Sequence, residues 1–270
     1  HNSVDDRPGA PDVERGALRV GWPLDLVQIG WALQELLGEP ETTGAGPYVH
    51  TFTSSAVQIP TTTFERRLGA GAFDGVIGAV CRSLQFPIGA DRGYVRVNAD
   101  YVVRQVVEQY AVSVAGEFAT PLVDKRVPRA AGTIKRNGVD LGSIISGDVT
   151  ITNQLGEDSY HGSRFIDDVA MEGRGAAMSL TGRFKGPALR EFGAIPAGQI
   201  IQQPMDIELV WPLGPSLKLE LTVRNLRFAK VGVATEGPGR LDVQLRGRAE
   251  IGPDAAMVSA VLTNGQATYA

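Results

Sequence analysis

The sequence predicts a mainly β protein, a β-sandwich or barrel with one flanking α-helix and long hairpins. Apolar and polar residues alternate with a period of two in about ten runs, the pattern of strands with one buried face. Only one run shows the spacing of an amphipathic helix. The 33 glycines and 16 prolines among 270 residues suit a chain with many turns. All-β sandwiches and barrels share these features.

The single helical pattern covers residues 23–37. Apolar residues recur there at helical intervals, Pro23 suits the first turn, and Gly38 stands just past the end. We interpret it as an amphipathic helix packed on a sheet rather than as a ligand or membrane face. The preceding residues 1–22 are polar, contain proline and lack periodicity at their start, so a flexible N-terminal arm is predicted. Residues 23–270 are predicted to form one domain.

The first half of that domain contains several predicted strands. Residues 48–53 and 58–66 are rich in Thr and aromatic residues, and we expect them to pair. Residues 79–88 and 94–101 alternate on either side of a glycine turn, which predicts a long hairpin. The pattern at 102–114 fits either a bent strand or a short helix.

The second half contains clearer hairpin signals. Asn137-Gly138 is a two-residue turn between short strand patterns, since both residues tolerate positive φ. Strands are predicted at 205–212 and 217–223, with a phase slip near Asn225 that indicates a bulge. A regular strand at 241–251 is expected to pair with 256–263.

A long polar segment interrupts the most prominent pair of strands. Residues 148–155 and 176–184 each alternate, and the roughly twenty residues between them exceed the usual loop length. Such an arm, residues 156–175, is predicted to act outside its own domain. Its candidate contact residues are Glu157, Asp158, Tyr160, Arg164, Phe165, Asp167, Asp168, Glu172 and Arg174.

Composition and motifs argue against most catalytic and nucleic-acid-binding functions. The net charge of −4 does not suit a protein that grips DNA phosphates through a basic surface. His50 and His161 lack partners at metal-ligand spacing, and Cys81 fits a buried, inert thiol. No nucleophile elbow, phosphate loop or dinucleotide fingerprint occurs. We therefore expect no enzyme activity, no cofactor and no metal, and no run reaches the length of a membrane span.

Several short motifs follow one another in a characteristic order. The helix ends Leu36-Leu37-Gly38 and precedes the glycine-rich segment TGAGPYVHTF and the proline-led IPTTTFER. Later, TITNQLGEDSYHGS precedes SLTGRF. This order resembles the tail tube proteins of long-tailed, siphovirus-type bacteriophages. The resemblance covers roughly residues 23–185. It implies a tail-tube-like sandwich with long hairpins that complete a continuous lumenal barrel. It also implies that the arm 156–175 contacts a neighbouring subunit or the next ring.

In function, the resemblance implies a major tail tube subunit in the virion. Such subunits form stacked homohexameric rings whose lumen conducts phage DNA during ejection, without specific DNA binding and without a membrane partner. The implied partners are further copies of the chain, the tape measure, the tail terminator and the distal tail protein, with assembly in the host cytoplasm. We place the lumen on residues 79–101 and 205–228, whose candidate lining residues are Ser83, Gln85, Asn98, Asp100, Asp206, Glu208 and Glu220.

Three alternatives remain open from the sequence. A baseplate or tail-completion ring protein uses a related sandwich. A carbohydrate-binding sandwich needs a row of exposed aromatic residues, for which Tyr94, Tyr101 and Trp211 are the candidates. A hydrolase would use the carboxylates of the arm, above all Asp167 and Asp168, although charged loops are more often simply solvated.

Overall fold

The computed structural model has one continuous antiparallel sheet of 14 strands and one α-helix in its described part. It describes residues 15–69, 71–89, 92–110, 112–113, 125–183, 189, 191–230, 242–252 and 256–269. The prediction of a mainly β fold with one helix is confirmed.

The elements follow one another along the chain in this order. They are β1 Gly16–Pro23, α1 Ile29–Leu37, β2 Glu41–Thr43, β3 Tyr48–Thr53, β4 Thr62–Gly69, β5 Ala72–Gly89, β6 Arg96–Tyr110, β7 Thr133–Arg136, β8 Val139–Asp140, β9 Ile144–Asp158, β10 Asp168–Arg183, β11 Met205–Gly214, β12 Leu217–Phe228, β13 Asp242–Ala249 and β14 Val258–Asn264.

The sheet folds over on itself around one hydrophobic core. Its strand order is β1-β6-β5-β9-β10-β13-β12-β11-β7-β8, while β14 joins β12 to β3, β2 pairs with β3, and β4 pairs with β5. The ring of Phe86 on β5 stacks on that of Trp211 on β11 at 5.6 Å, so these two parts of the sheet face each other across the core. We call β5, β6, β9 and β10 the hairpin layer, and β3, β11, β12 and β14 the second layer.

The N-terminal segment differs from its prediction. Gly16–Pro23 is strand β1, paired with β6 from Gly16 opposite Val103 to Pro23 opposite Arg96, so the predicted flexible arm 1–22 is wrong from residue 16 onward. Strand β1 supplies hydrogen-bond partners to the edge of β6. The periodicity of a single segment does not reveal such a pairing. Residues 1–14 lie outside the described part of the chain.

Helix α1 begins later than predicted, at Ile29 rather than at residue 23. The backbone N–H groups of Leu24 and Leu26 donate to Val95 and Lys125 carbonyls instead of entering a helix. Asp25 accepts hydrogen bonds from the N–H groups of Val27 and Gln28 at 2.8 and 3.1 Å, which holds the turn before the helix. The predicted end at Gly38 is confirmed, with φ of 91°.

Two predicted strand pairings are wrong. Strand β3 lies between β14 and β2 rather than beside β4, and β14 lies between β12 and β3 rather than beside β13. Both errors assumed that strands close in sequence pair, whereas β3 and β14 meet from opposite ends of the chain. The hairpin of β5 and β6 is confirmed, and β6 continues as a strand through residues 102–110.

Two predicted local irregularities are confirmed. Asn137 and Gly138 have φ of 47° and 81°, as a two-residue hairpin between β7 and β8 requires. Asn225 has φ of 53°, and the register of β11 with β12 shifts between the pairs Met205–Leu226 and Ile207–Val223. The phase slip therefore marks a bulge that returns apolar side chains to the core.

Candidate functional site

The outward surface of the hairpin layer is a continuous field of small polar side chains, which we call the polar face. Its strands pair in register, with Gln85 opposite both Asn98 and Thr150, and Ser83 opposite both Asp100 and Thr152. The alternate residues of each strand, such as Leu84 and Phe86, are buried in the core. The period of two therefore sends the polar set outward.

Hydrogen bonds link this face from strand to strand. Asn98 Nδ2 donates to Gln85 Oε1 at 3.3 Å, and Ser83 Oγ donates to Asp100 Oδ2 at 3.2 Å. Gln85 Nε2 donates in turn to Asp148 Oδ2 at 3.4 Å. These side chains are held against one another rather than extended into solvent.

Two ion pairs lie on the polar face, which also carries Asp148 and the exposed Arg96. Asp100 pairs with Arg19 of β1 at 2.5 Å, and this hydrogen bond holds the pKa of the Asp100 carboxyl below its usual value. At the opposite margin, Arg183 pairs with Asp242 at 3.4 Å. The rows between these pairs consist mainly of uncharged residues, including Thr150, Thr152, Ala177, Ser179 and Thr181.

The predicted lumen residues fall into two separate groups. Ser83, Gln85, Asn98 and Asp100 lie together on the polar face. Asp206, Glu208 and Glu220 instead belong to the second layer, where they alternate with buried Ile207, Leu209 and Leu221. They face away from the core on the other side of the molecule, so one subunit does not present both groups to the same surface.

The second group makes its own local contacts. Glu208 pairs with Lys135 at 3.4 Å, and Glu220 pairs with Lys218 at 3.0 Å. Asp206 Oδ1 accepts a hydrogen bond from the Asn225 N–H at 3.0 Å, which supports the bulge in β12. These carboxylates are therefore engaged with neighbours on their own layer.

The predicted arm 156–175 is largely a two-stranded ribbon. Strands β9 and β10 stay paired out to Asp158 opposite Asp168, which leaves 159–167 as the connecting tip. In much of this ribbon, the side chains on both faces are only partly buried. Residues 168–172 of β10 do alternate, with Val169 and Met171 less exposed than their neighbours, but this short pattern was not predicted to be a strand.

Asp167 closes the tip of the arm. Its carboxylate accepts hydrogen bonds from the Tyr160 N–H at 2.9 Å and from Ser163 Oγ at 3.0 Å, and these bonds hold the pKa of Asp167 below its usual value. Tyr160 itself is 63% exposed, whereas Ile166 is buried. Asp167 thus has a structural role in the turn, which accounts for it without acid–base catalysis.

Arg174 lies at the root of the arm and is mostly buried there. Its guanidinium donates to the carbonyls of Leu36 and Ser54, each at 2.8 Å, and to Asn153 Oδ1 at 2.7 Å. Asn153 also donates to the Leu36 carbonyl, at 3.0 Å. We call this set the clasp. It ties the hairpin of β9 and β10 to the C-terminal end of α1, so Arg174 is engaged inside its own subunit.

Other predicted chemical groups have structural surroundings. His50 is buried, and its ring nitrogens contact Thr42 Oγ1 at 2.8 Å and the Gln266 carbonyl at 2.9 Å. Of the three candidate aromatic residues, Tyr101 and Trp211 are buried and Tyr94 is exposed, so they form no sugar-binding row.

Neither a metal site nor a membrane-spanning helix occurs among the described residues. Among them, no group of three or more His, Cys, Asp and Glu side chains is placed to hold a metal ion. None of the helices in this part of the chain is long and apolar enough to cross a membrane.

Comparison with protein families favours a structural tail protein over a carbohydrate-binding sandwich. The model of the phage tail tube protein family matches residues 5–259, nearly the whole chain. The chain belongs to the phage tail tube family. A search of curated proteins found no match. The resemblance to phage tail tube proteins is thereby confirmed, and it identifies a structural component of the virion that assembles with itself and with other tail proteins.

Sequence reasoning missed part of the surface that the tail tube fold presents. Asp148, Thr150, Thr152, Ser179 and Thr181 complete the polar face, yet they were not among the lumen candidates. Their alternation with buried residues was visible in the sequence. What could not be seen was that β9 pairs with β5, which joins the two long hairpins into one surface.

Proposed function

We propose that this chain is the major tail tube subunit, that it forms stacked hexameric rings, and that the polar face lines the channel through which DNA is ejected. The observation that carries the proposal is the hydrogen-bonded and mostly uncharged polar surface of the two longest hairpins. The tape measure, tail terminator and distal tail proteins would be its partners in a tail assembled in the host cytoplasm.

The chemistry of the polar face suits a passage for DNA. Duplex DNA carries a dense row of phosphates, and fixed cations along a channel would hold it in place. The rows around Gln85 and Thr150 offer hydroxyl and amide groups that are partly engaged with each other. DNA would therefore slide along this wall with little fixed-charge attraction.

The edges of the hairpin layer support closure into a ring. Strand β1 covers β6 only up to Val103, and β13 covers β10 only from Ala177 onward. The described chain supplies no outer partner for residues 104–110 of β6 or 168–176 of β10. Where another subunit pairs with such an edge, repeated head-to-tail contacts close a ring.

Cysteine labelling of assembled tubes tests the orientation of the two layers. Gln85→Cys would place a thiol on the polar face, and Glu208→Cys would place one on the outward face of the second layer. The native Cys81 gives little background because it is fully buried, and burial raises the pKa of its thiol.

In tubes verified by negative-stain electron microscopy, we expect Gln85→Cys to react with a small maleimide but not with a protein-sized maleimide conjugate. Glu208→Cys should react with both, and dissociated subunits of either variant should react with both. Equal reaction of Gln85→Cys with both reagents in intact tubes would refute a lumenal polar face. A wild-type chain that stays monomeric at high concentration would refute the tube itself.

A further inference from the structure

An apolar groove lies at the end of the sandwich where β5 and β6 turn. Its volume is about 420 Å³, and its walls come from the ends of β5 and β9, the hairpin of β7 and β8, and β11. The apolar lining includes Ile88, Val95, Ile134, Leu141 and Trp211. A groove of this size accepts one or two side chains of a partner.

The surroundings of the groove are basic. Arg129 lines it directly, and its Nε donates to the Tyr94 carbonyl at 3.2 Å. Arg92 is exposed and lies three residues before Val95 of the groove lining, and Arg126 places its guanidinium 5.9 Å from the centre of the Tyr94 ring. One carboxylate, Asp140, also lines the groove. We call the groove with these arginines the basic end.

The tip of the arm lies at the opposite end of the same hairpin. Strand β9 begins at Ile144 beside the groove and ends at Asp158, a distance of about 45 Å for an extended strand. The tip itself carries Arg164 and Asp167, and it is flanked by Asp158 and Asp168, which stand directly opposite each other, where like charges repel. A cationic partner would relieve that repulsion, and the exposed Tyr160 offers an apolar side chain beside it.

We propose that the arm tip of one subunit docks on the basic end of a subunit in the next ring. Tyr160 enters the groove, while Asp158 and Asp168 face Arg92 and Arg126. This contact rests on the proposed tube and names the surfaces that stack its rings. Because the two surfaces differ and lie at opposite ends, the contact repeats without limit in one direction. Complementary charge would also set its orientation.

A second copy of the chain fits the groove better than DNA does. DNA would complement the arginines but would leave the apolar floor around Trp211 without a partner. The arm tip supplies both opposite charge and an exposed aromatic ring, and it comes from the same chain at the required end. DNA binding is nevertheless a measurable alternative.

Charge reversal on each surface tests the contact. The arm variant carries Asp158→Lys with Asp168→Lys, and the basic-end variant carries Arg92→Glu with Arg126→Glu. Glu39→Lys with Glu41→Lys serves as the control, since both glutamates are exposed and lie outside the two surfaces. Ring formation is read by mass photometry and stacking by electron microscopy.

Each variant alone should form rings but need at least tenfold more protein than wild type to form tubes. An equimolar mixture should restore tubes, because reversed arms then meet reversed basic ends. The control should assemble as wild type does. Tyr160→Ala should also impair stacking, whereas Tyr160→Phe should preserve it.

The experiment distinguishes a failure of the proposed tube from a failure of the docking contact. Absence of both rings and tubes from the wild-type protein overturns the proposed function. Wild-type tubes together with unimpaired variants, or a mixture that stays unstacked, overturn the docking contact alone. If the basic-end variant stacks normally but loses binding to a 30-base-pair duplex, the basic end is a DNA contact and the docking contact is wrong.

Discussion

At the scale of single residues, the most consequential buried group is Glu35 of α1. Tyr101 Oη donates to Glu35 Oε2 at 2.5 Å, and Thr62 Oγ1 donates to Glu35 Oε1 at 2.9 Å. These bonds connect the helix to β6 and β4. Burial raises the pKa of the Glu35 carboxyl, and the two hydrogen bonds only partly oppose this effect.

The raised pKa predicts a pH dependence of stability. The folded chain holds a proton on Glu35 at pH values where the unfolded chain has released it. This contribution to stability is therefore complete below the ordinary glutamate pKa of about 4.3 and is lost as the pH rises through the higher folded pKa. Glu35→Gln stays neutral, so its stability relative to wild type should improve from pH 4 to pH 7, as measured by urea unfolding.

Glu41→Gln is the matched control, because Glu41 is exposed on β2. Its stability relative to wild type should not change over the same pH range. A constant difference between Glu35→Gln and wild type from pH 4 to pH 7 would show that Glu35 does not titrate in this way.

At the scale of elements, the clasp fixes the arm hairpin to the helix. Arg174, Asn153 and the Leu36 carbonyl join β10, β9 and the end of α1. The positive guanidinium also lies at the C-terminal end of the helix, where the helix dipole favours cations. The direction in which the arm leaves the domain therefore depends on this buried group.

Removal of Arg174 should loosen both elements. Arg174→Ala removes the guanidinium donor from the Ser54 carbonyl and from Asn153 Oδ1 and leaves the Leu36 carbonyl with Asn153 alone, and we expect a loss of about 2–4 kcal/mol in the free energy of unfolding. Arg174→Lys should recover only part of it, because an ammonium group lacks the planar fork of donors. Denaturant unfolding measures both variants.

Arg248→Ala provides the comparison, since Arg248 is exposed on β13. A change within about 0.5 kcal/mol is expected there. If Arg174→Ala were equally mild, the clasp would contribute little to stability, and the arm would be positioned by the pairing of β9 and β10 alone.

At the scale of the whole molecule, the two layers present different outward surfaces. The polar face belongs to the hairpin layer, while Thr51 and Thr222 lie on the outward face of the second layer, between buried neighbours. The proposed tube turns the first surface toward its channel. Charges added to the two surfaces should therefore have different consequences.

Two lysine substitutions on each outward surface distinguish the polar face from the outward face of the second layer. Tubes with Gln85→Lys and Thr150→Lys should retain short duplex DNA inside the channel, where the tube wall shields it from nuclease. Tubes with Thr51→Lys and Thr222→Lys gain the same charge, but DNA bound to them should be digested. Nuclease protection followed by gel electrophoresis measures the difference, and equal protection by both would contradict the proposed orientation.

The sequence alone determined those features that depend on neighbouring residues. The bounds of β3, the turn at Asn137 and Gly138, the bulge at Asn225 and the end of α1 at Gly38 were all predictable. Each follows from one-sided burial or from a local backbone requirement, which a short run of residues expresses in full. The order of short motifs also indicated the tail tube family.

Only the tertiary structure decided which strands meet and which surface they form. Strand β14 pairs with β3, about two hundred residues away along the chain, and the addition of β1 to β6 leaves little local signal. The tertiary structure also decided the polar face, which exists because β5 pairs with β9. It likewise placed Ser83 and Glu208 on separate surfaces. A strand's periodicity shows that one side is buried, but its partner is chosen by how distant segments close a common core.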